Sequence, residues 1–300
     1  MRKHVEAGVL NIAYLETGDP AGWPVVLQHG FPYDAYSYDE VAPRLAAQGA
    51  RVIVPFLRGY GPTRFLSPDT PRSGEQAALG NDLHMLLDAL KIESAILAGY
   101  DWGGRAACIV AALWPDQVRG LVSVNGYNIQ NIARSGEPAS PEAELRYWYQ
   151  YYFHGERGQL GLEQNRRELC RFLWRLWSPQ WRFDDATYAR TAESFDNPDF
   201  VAVVIQSYRH RYALAEGDPA VAAIERRLAA QPRITVPTIT LDGDADGVMS
   251  PEGSGADAAY FTGRHEHRRV TPGIGHNVPQ EAPEAFADAV LTVKSWGDLK

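Results

Sequence analysis

The stretch Gly99-Tyr100-Asp101-Trp102-Gly103-Gly104 decides the fold of this 300-residue chain. An apolar run at 92–98 precedes it and predicts a buried parallel strand, and the alanine-rich run at 105–113 after it predicts a helix. The glycines allow a turn so tight that side chains at their positions would collide with the backbone. Open α/β sheets place their sites beyond the carboxyl ends of the strands. The sequence therefore predicts that Asp101 is held on a strained turn at such an edge.

A carboxylate at this turn restricts the chemistry that the site can perform. A serine would attack a carbonyl carbon, whereas an aspartate is a poor acyl acceptor but a competent nucleophile toward sp3 carbon. The product of that attack is a covalent ester, which water must then cleave. Asp101 therefore predicts a hydrolase that acts on epoxides, alkyl halides or similar electrophiles.

The order of apolar and helix-like runs predicts the architecture around this turn. Short apolar runs at 24–28, 50–55 and 118–125 alternate with helix-like stretches, which favours a mostly parallel sheet with helices on both faces. Strand alternation stops after Asn125, and helix-like stretches rich in tyrosine, tryptophan and arginine, such as 143–153, follow until apolar runs return. We predict an α/β core in two parts, residues 1–128 and 233–300, with an inserted helical cap at 129–232.

Composition excludes several classes of function. The net charge of −8 argues against nucleic acid or an anionic membrane as the natural partner. Cys108 and Cys170 are too few for a disulfide framework, and their apolar settings indicate buried thiols in a reducing compartment. The start of the chain leads directly into an alternating pattern without a signal peptide, and no apolar run approaches membrane-spanning length. We therefore expect a soluble cytoplasmic protein.

Cleavage of an aspartyl ester requires a base that activates water, normally a histidine held by an acid. His276, in Gly273-Ile274-Gly275-His276, follows a late strand on a loop that can reach Asp101. The run 241–246 ends the preceding strand and offers three aspartates, of which Asp246 lies deepest in the loop. We predict His276 as the base and Asp246 as its acid, while the other two aspartates form turns or bind backbone amides.

An oxyanion that forms on the ester needs two hydrogen-bond donors. The segment His29-Gly30-Phe31-Pro32 supplies one through the Phe31 backbone N–H, and Trp102, the residue after the nucleophile, supplies the other. Phe31-Pro32 is also a candidate for a cis peptide bond. The side chains of Phe31 and Trp102 are candidates for contact with the substrate, and His29 is expected to brace the loop.

Epoxides and alkyl halides differ in what their leaving groups require from the site. An epoxide leaves as a strongly basic alkoxide, which needs an acid or strong hydrogen-bond donors such as tyrosine hydroxyls. A halide leaves without a proton and needs only N–H donors such as indole.

Several motifs together resemble the soluble epoxide hydrolases of the α/β-hydrolase fold. They are His29-Gly30-Phe31-Pro32 with Tyr36-Ser37-Tyr38, Arg58-Gly59-Tyr60-Gly61, Gly99 to Gly104, the cap segment Tyr149 to Phe153, and Ser207-Tyr208-Arg209. The resemblance implies an α/β-hydrolase fold with a cap, Asp101 as nucleophile, and Asp246 at the usual spacing after a glycine. It also implies that Tyr149 and Tyr208 hold the epoxide oxygen.

Other assignments of these cap tyrosines stay open. Tyr147, Tyr151 and Tyr152 lie close to Tyr149 in the sequence, and ordinary aromatic packing would also explain Tyr149 and Tyr208. Tyr152 is a further candidate for contact with the substrate. Tyr149, Tyr151 and Tyr152 cannot share one face of a regular helix, so at most two of them could face one cavity.

Arg105 is a separate candidate. It resembles one of the two arginines that bind the substrate carboxylate in fluoroacetate dehalogenases, but Trp102 stands where the second arginine would be. The alternative for Arg105 is an ion pair near the turn.

We expect an epoxide hydrolase that forms a vicinal diol. Its partners would be a small electrophile and water, without a metal or another cofactor, nucleic acid or membrane, and a homodimer stays open. His265-Glu266-His267 is too poorly spaced for a metal site. A hydrolytic dehalogenase is the enzymatic alternative, and a non-catalytic small-molecule receptor is the other. The tryptophans available to bind a halide are Trp102 and the cap residues Trp148, Trp174, Trp177 and Trp181.

Overall fold

One mixed sheet forms the centre of the computed structural model, which describes residues 1–249 and 253–297. Its strands are β1 (Arg2–Ala7), β2 (Leu10–Gly18), β3 (Trp23–Gln28), β4 (Ala50–Pro55), β5 (Arg64–Phe65), β6 (Ala95–Gly99), β7 (Val118–Val124), β8 (Thr238–Gly243) and β9 (His265–Val270). Their spatial order is β1-β2-β4-β3-β6-β7-β8-β9, and β5 pairs with β2.

The sheet is mostly parallel, as the sequence predicts. Strands β4, β3, β6, β7, β8 and β9 run parallel to one another. Strand β2 is antiparallel to β1, β4 and β5. All five residues of β6 are buried, because helices cover both faces of a parallel sheet. The carboxyl ends of β3, β6, β7 and β8 therefore open on one common edge.

The helices are α1 (Val41–Ala46), α2 (Gln76–Ala89), α3 (Asp101–Leu113), α4 (Pro141–Arg146), α5 (Trp148–Tyr152), α6 (Glu156–Trp177), α7 (Asp185–Ala192), α8 (Phe200–Arg211), α9 (Ala222–Ala229), α10 (Val278–Glu281) and α11 (Pro283–Gly297). Helices α3 and α11 both pack on β6 and β7, α2 packs on α3, and α1 packs on α11. None of the described helices is long and apolar enough to cross a membrane. Cys108 and Cys170 are buried free thiols, as predicted.

A helical region is inserted between β7 and β8. Residues 125–237 contain α4 to α9 and no named strand. This confirms the inserted helical region, while the predicted boundaries at 128/129 and 232/233 remain an interpretation.

The first helices of this region differ from the sequence prediction of one helix over 143–153. Helix α4 ends at Arg146 and α5 begins at Trp148, with Tyr147 outside helical geometry (φ −90°, ψ 7°). Tyr147 at the break, and Tyr149 and Tyr151 on α5, all line one cavity.

Side-chain contacts hold the inserted region over the core. The indole Nε1 of Trp174 donates to the Pro32 carbonyl at 2.8 Å, across the entrance loop of the predicted site. The buried carboxylate of Asp34 accepts hydrogen bonds from the hydroxyls of Thr191 at 3.0 Å and Ser194 at 2.7 Å. These contacts hold α6 and α7 against the loop that follows β3.

Candidate active site

Asp101 sits on the strained turn that the sequence predicts. Its φ of +50° lies in the left-handed region, which costs energy for any residue other than glycine. The neighbouring glycines make the turn possible: a Cβ on Gly99 would lie 2.6 Å from the Gly103 carbonyl carbon, and one on Gly103 would lie 2.2 Å from the Gln28 oxygen. The turn ends β6 and begins α3, so the carboxylate projects from the edge of the sheet.

The loop after β3 holds one oxygen of this carboxylate. The Phe31 backbone N–H donates to Oδ1 of Asp101 at 2.7 Å, as required of an oxyanion-hole donor. A Cβ on Gly30 would lie 2.4 Å from the Asp101 Cβ, so the close approach requires glycine. The Phe31-Pro32 peptide bond is cis, as predicted. The second predicted donor, the Trp102 amide, lies in the first turn of α3, where N–H groups have no intrahelical partner.

His29 stabilises the same loop through two polar contacts. Its Nε2 accepts a hydrogen bond from the Leu57 amide at 3.1 Å, and its Nδ1 lies 3.0 Å from the Gly30 oxygen. Burial lowers the pKa of His29 to about 4, so the ring is neutral and Nδ1 carries the proton. His29 is therefore a structural residue, not a base.

His276 and Asp246 meet beside Asp101. His276 lies on the loop between β9 and α10, and its Nδ1 is 2.9 Å from Oδ2 of Asp246, which follows β8. Its Nε2 faces Oδ2 of Asp101 at 3.8 Å, longer than a hydrogen bond. This arrangement directs one ring nitrogen to the acid and the other to the predicted nucleophile.

Backbone and side-chain donors fix the Asp246 carboxylate. Oδ1 accepts from the Val248 amide at 2.7 Å and from the Met249 amide at 3.2 Å. Oδ2 accepts from Nδ2 of Asn125 at 3.1 Å, in addition to its contact with His276. Sequence reasoning missed Asn125, although its position directly after β7 is a place where site residues of parallel sheets collect.

The other two aspartates of the run 242–246 bind elsewhere. Asp242 accepts from the amide and the hydroxyl of Ser254, at 2.6 and 2.9 Å, and contacts His267 at 2.7 Å. Asp244 accepts from the Ile274 amide at 2.9 Å. The ring of His265 contacts the Thr240 hydroxyl at 3.0 Å. Each of these side chains thus has a structural partner.

The charges of Asp101, Asp246 and His276 stabilise one another. Burial by itself lowers the pKa of His276, but the negative charges of Asp246 and Asp101 outweigh it and raise the pKa to about 10. Burial raises the pKa of each carboxyl, and the neighbouring His276 imidazolium brings both pKa values below their ordinary value. At neutral pH the resting site therefore holds an imidazolium between two carboxylates.

Tyr149 and Tyr208 lie together in the inserted region, on α5 and α8. Both side chains are buried, and their ring centroids are 5.5 Å apart. The Tyr208 hydroxyl is buried without a hydrogen-bond partner among the described residues, while the Tyr149 hydroxyl accepts from Gln150 Nε2 at 3.1 Å. Burial raises the pKa of both hydroxyls, so each retains a proton to donate at neutral pH.

A cavity of about 500 Å³ opens on Asp101, a volume within the range of small-molecule sites. Asp101, His276 and Tyr149 line it. Phe31, Trp102 and Tyr208 are fully buried beside it: the Phe31 ring stacks on Trp102 at 5.8 Å and meets the Tyr208 ring edge-on at 5.5 Å.

Tyr152, which the sequence predicts to contact the substrate, does not line this cavity, whereas Tyr151 does. The Tyr152 hydroxyl points at α6, where a Cβ on Gly161 would lie 1.9 Å away.

The indole groups of Trp102 and Trp174 are candidate donors to a halide in the alternative function. Trp174 Nε1 already donates to the Pro32 carbonyl. Trp102 Nε1, in contrast, is buried without a partner among the described residues. A free N–H donor thus lies one residue from the predicted nucleophile.

Sequence reasoning also missed Gln150 and Arg211. Gln150 Oε1 accepts from Arg211 Nη1 and from the Tyr212 hydroxyl, both at 3.1 Å, while its Nε2 donates to Tyr149. This network orients the Tyr149 hydroxyl so that its own proton is free for a ligand. The sequence signal was weak: Gln150 adjoins Tyr149, and Arg211 is one helical turn beyond Tyr208.

Arg105 lies on α3, one turn after Asp101, and lines the cavity. Its Nε donates to the Asn128 carbonyl at 3.1 Å. No ion pair joins Arg105 to a carboxylate in the described part of the chain, so the structural alternative suggested by the sequence is absent there. Burial and the charge of Arg211 together lower the pKa of Arg105 to about 10, and the guanidinium stays protonated at neutral pH.

Comparison with known proteins assigns this arrangement to a family. The α/β-hydrolase fold family matches residues 24–283, and the chain belongs to it. Within that family the chain is epoxide hydrolase-like. A crystal structure of a Klebsiella pneumoniae protein, provisionally described as an epoxide hydrolase, is 51% identical with a TM-score of 0.96, and the match covers 98% of this chain and 97% of that one.

Curated relatives match over shorter segments. Epoxide hydrolase 3 of Siraitia grosvenorii is 39% identical over 136 residues, which cover 45% of this chain and 39% of that protein. Epoxide hydrolase B of Mycobacterium tuberculosis is 34% identical over 155 residues, which cover 47% of this chain and 42% of that protein. The chain thus matches less than half the length of these curated relatives.

Proposed function

We propose that the protein is an epoxide hydrolase that opens a small epoxide to a vicinal diol through an ester on Asp101. The observation that carries the proposal is that Asp101 and Tyr149 line one cavity and that the buried hydroxyl of Tyr208, whose ring lies 5.5 Å from that of Tyr149, has no partner among the described residues. A buried hydroxyl without a partner is costly, which favours a ligand oxygen as its partner. The 51% identical protein of Klebsiella pneumoniae supports the same activity.

In the first step, Oδ2 of Asp101 attacks a ring carbon while Oδ1 keeps its hydrogen bond from the Phe31 amide. The new C–O bond forms as the ring C–O bond breaks, and the electron pair stays on the ring oxygen. That oxygen takes a proton from Tyr149 or Tyr208. The product of this step is a neutral ester of Asp101 and a tyrosinate.

Ester formation turns His276 into a base. Its pKa is raised in part by the negative charge of Asp101, and the ester removes that charge. The imidazolium can then transfer its proton to the tyrosinate and become neutral. Nδ1 remains held by Asp246, and Nε2 is left free to accept a proton.

In the second step, neutral His276 takes a proton from a water that attacks the ester carbonyl carbon. The Phe31 amide stabilises the oxyanion on Oδ1, and the Trp102 amide is the second donor that we propose. The tetrahedral intermediate then breaks the bond between Cγ of Asp101 and the former Oδ2, which stays on the substrate carbon, and the hydroxyl proton of the intermediate passes to that oxygen. This releases the diol and restores both the Asp101 carboxylate and the His276 imidazolium.

A hydrolytic dehalogenase is the second candidate, and one observation favours it. The Trp102 indole N–H is a buried donor without a partner among the described residues, and a departing halide needs such a donor. The nearby Trp174 indole is already bonded to Pro32, which leaves a halide site with fewer donors.

A product screen combined with trapping tests the proposal. Terminal alkyl and aryl epoxides are compared with matched chloro and bromo compounds, and diol and halide are measured. We expect diol from epoxides, and we expect His276→Gln to accumulate an adduct on Asp101 that intact-mass and peptide mass spectrometry detect. Halide release without diol would replace the proposal with the dehalogenase, and the absence of turnover and of any adduct would favour a receptor.

A further inference from the structure

Two arginines from different layers of the fold line the cavity above Asp101. Arg105 comes from α3 of the core, and Arg211 comes from the last turn of α8 in the inserted region. Tyr149 lies on the same cavity wall. Positive charge is thus presented to a bound molecule from both sides.

Neither arginine is paired with a carboxylate in the described part of the chain. Arg105 is 7% exposed and uses only Nε, toward the Asn128 carbonyl. Arg211 donates to the neutral amide of Gln150, and its guanidinium lies 4.9 Å from the centre of the Tyr208 ring. The side-chain oxygen of Gln130 also accepts from Arg211 once its amide is oriented to suit both groups. Terminal nitrogens of Arg105 therefore remain available to the cavity.

Three positively charged side chains lie around the nucleophile: His276, Arg105 and Arg211. Asp101 and Asp246 both pair with His276, and neither guanidinium forms an ion pair with a carboxylate in the described part of the chain. Buried or half-buried charges are normally compensated, because desolvation of an unpaired ion is costly.

The two other acidic residues of the cavity wall, Glu137 and Glu144, form no ion pair with Arg105 or Arg211. Glu137 is exposed and pairs with Arg134, and Glu144 accepts from the Tyr151 hydroxyl and from the Ala139 amide at 2.7 Å. Both belong to the segment around α4, at the outer rim of the cavity.

We propose that Arg105 and Arg211 bind a carboxylate on the substrate, so that the enzyme prefers epoxy acids to neutral epoxides. This inference rests on the proposed function for its reaction, but the anion site itself can be tested without turnover. A guanidinium offers paired N–H donors that match the two oxygens of a carboxylate, and a bound carboxylate would supply the ion-pair partner that both arginines lack. Arg211 also contacts the network that orients Tyr149, so binding of the carboxylate is linked to the group that holds the epoxide oxygen.

The turnover test compares terminal epoxy alkanoates of increasing chain length with their primary amides. The amide keeps the shape of the carboxylate and removes its charge. We expect kcat/KM to favour the acid over the amide by roughly tenfold to hundredfold at the best chain length, the size expected for hydrogen bonds to a charged group. Arg105→Gln and Arg211→Gln should each bring the acid-to-amide ratio toward one. Arg157→Gln, an exposed change on α6, should keep the wild-type ratio.

The binding test separates this inference from the proposed function. Butanoate and hexanoate, which carry no epoxide, are titrated into the wild-type protein and both arginine variants by calorimetry, with hexanamide as control. Binding of the carboxylates that both variants lose supports the anion site even if no epoxide is turned over. Diol formation that favours the amide, or carboxylate binding unchanged in Arg105→Gln and Arg211→Gln, overturns the inference and leaves the epoxide hydrolase intact.

Discussion

Nε2 of His276 lies 3.8 Å from Oδ2 of Asp101, close enough for each charge to stabilise the other and too far for a hydrogen bond. The distance connects the two halves of the proposed reaction. While Asp101 is an anion, His276 is held as an imidazolium, and once Asp101 is an ester this part of the stabilisation disappears. The histidine thus becomes basic only after the nucleophile has been used.

Replacement of Asp101 by asparagine imitates the neutral ester and should lower the pKa of His276 from about 10, because the charge of Asp101 is one of the groups that raise it. Asp246 is still present in this variant, so the pKa of His276 should stay partly raised. Histidine ring resonances followed by NMR from pH 5 to 11 measure the change. His210 serves as the internal control, because burial lowers its pKa and Glu75 raises it more strongly, and Asp101 is not among the groups that shift it. An unchanged His276 titration would argue against the coupling.

Removal of the cap hydroxyls should separate epoxide from halide chemistry. Each of Tyr149→Phe and Tyr208→Phe should lower epoxide kcat by about 10²–10³, the typical effect of one lost donor at a developing oxyanion. The double variant should be nearly silent with epoxides, while release of halide, which needs no proton, should suffer far less. Tyr188→Phe is the matched control, because its hydroxyl donates to the Arg167 carbonyl within the inserted region. A double variant within a few-fold of the wild-type rate would contradict the assignment.

Gly30→Ala should inactivate the protein without unfolding it. The added Cβ would lie 2.4 Å from the Asp101 Cβ and 2.6 Å from Oδ1, so the loop or the nucleophile must shift. Displacements of about 1 Å at a reacting centre cost on the order of 10² in rate. Gly155→Ala, where no atom lies within 4 Å of the new Cβ, is the control. Rates and far-ultraviolet circular dichroism distinguish loss of geometry from loss of fold, and a fully active Gly30→Ala would show that the loop tolerates the shift.

The source of the oxygen in the diol distinguishes an ester from direct attack by water. In a single turnover in heavy-oxygen water, the first diol should carry unlabelled oxygen from Asp101, because water attacks the ester carbonyl carbon. The label should appear in the peptide that contains Asp101, read by mass spectrometry. Labelled diol in the first turnover would make Asp101 a general base instead.

Asp34 should make stability depend on pH. Burial raises its pKa to about 7, against hydrogen bonds from Ser194, the Tyr36 amide and Thr191 that lower it. Between about pH 4 and 7 the folded protein therefore binds a proton at Asp34 that the unfolded chain has released. The free energy of unfolding should fall as pH rises through this window, by up to about 1.4 kcal/mol per pH unit from this group.

Asp34→Asn should remove that part of the slope, because the amide keeps the shape of the side chain but does not ionise. Urea unfolding at several pH values between 4.5 and 7.5 measures it, and the exposed Asp19→Asn is the control. Equal slopes in the wild type and Asp34→Asn would show that Asp34 does not titrate in this range.

Local sequence was sufficient for the sheet and for the turn that carries Asp101. Apolar runs bounded by glycine and proline define buried parallel strands, and only small residues fit around the turn, so both features are written in neighbouring residues. The loop that carries Phe31 and its cis bond to Pro32 was predicted for the same reason.

The details of the inserted region were harder to predict from the sequence. A helix over 143–153 was predicted, yet Tyr147 interrupts it between α4 and α5, and Tyr151 rather than Tyr152 lines the cavity. Helical periodicity describes a regular helix and carries no information about where distant packing breaks it.

The sequence by itself therefore determined the α/β architecture, the strained turn and the residue types that a hydrolytic site needs. Only the tertiary structure decided which of them meet: it brought His276 between Asp101 and Asp246, and Arg211 opposite Arg105. The physical reason is separation along the chain. Strand and turn preferences act between neighbours, whereas the charge balance of the cavity depends on groups from α3, α8 and two late loops that only the folded core brings together.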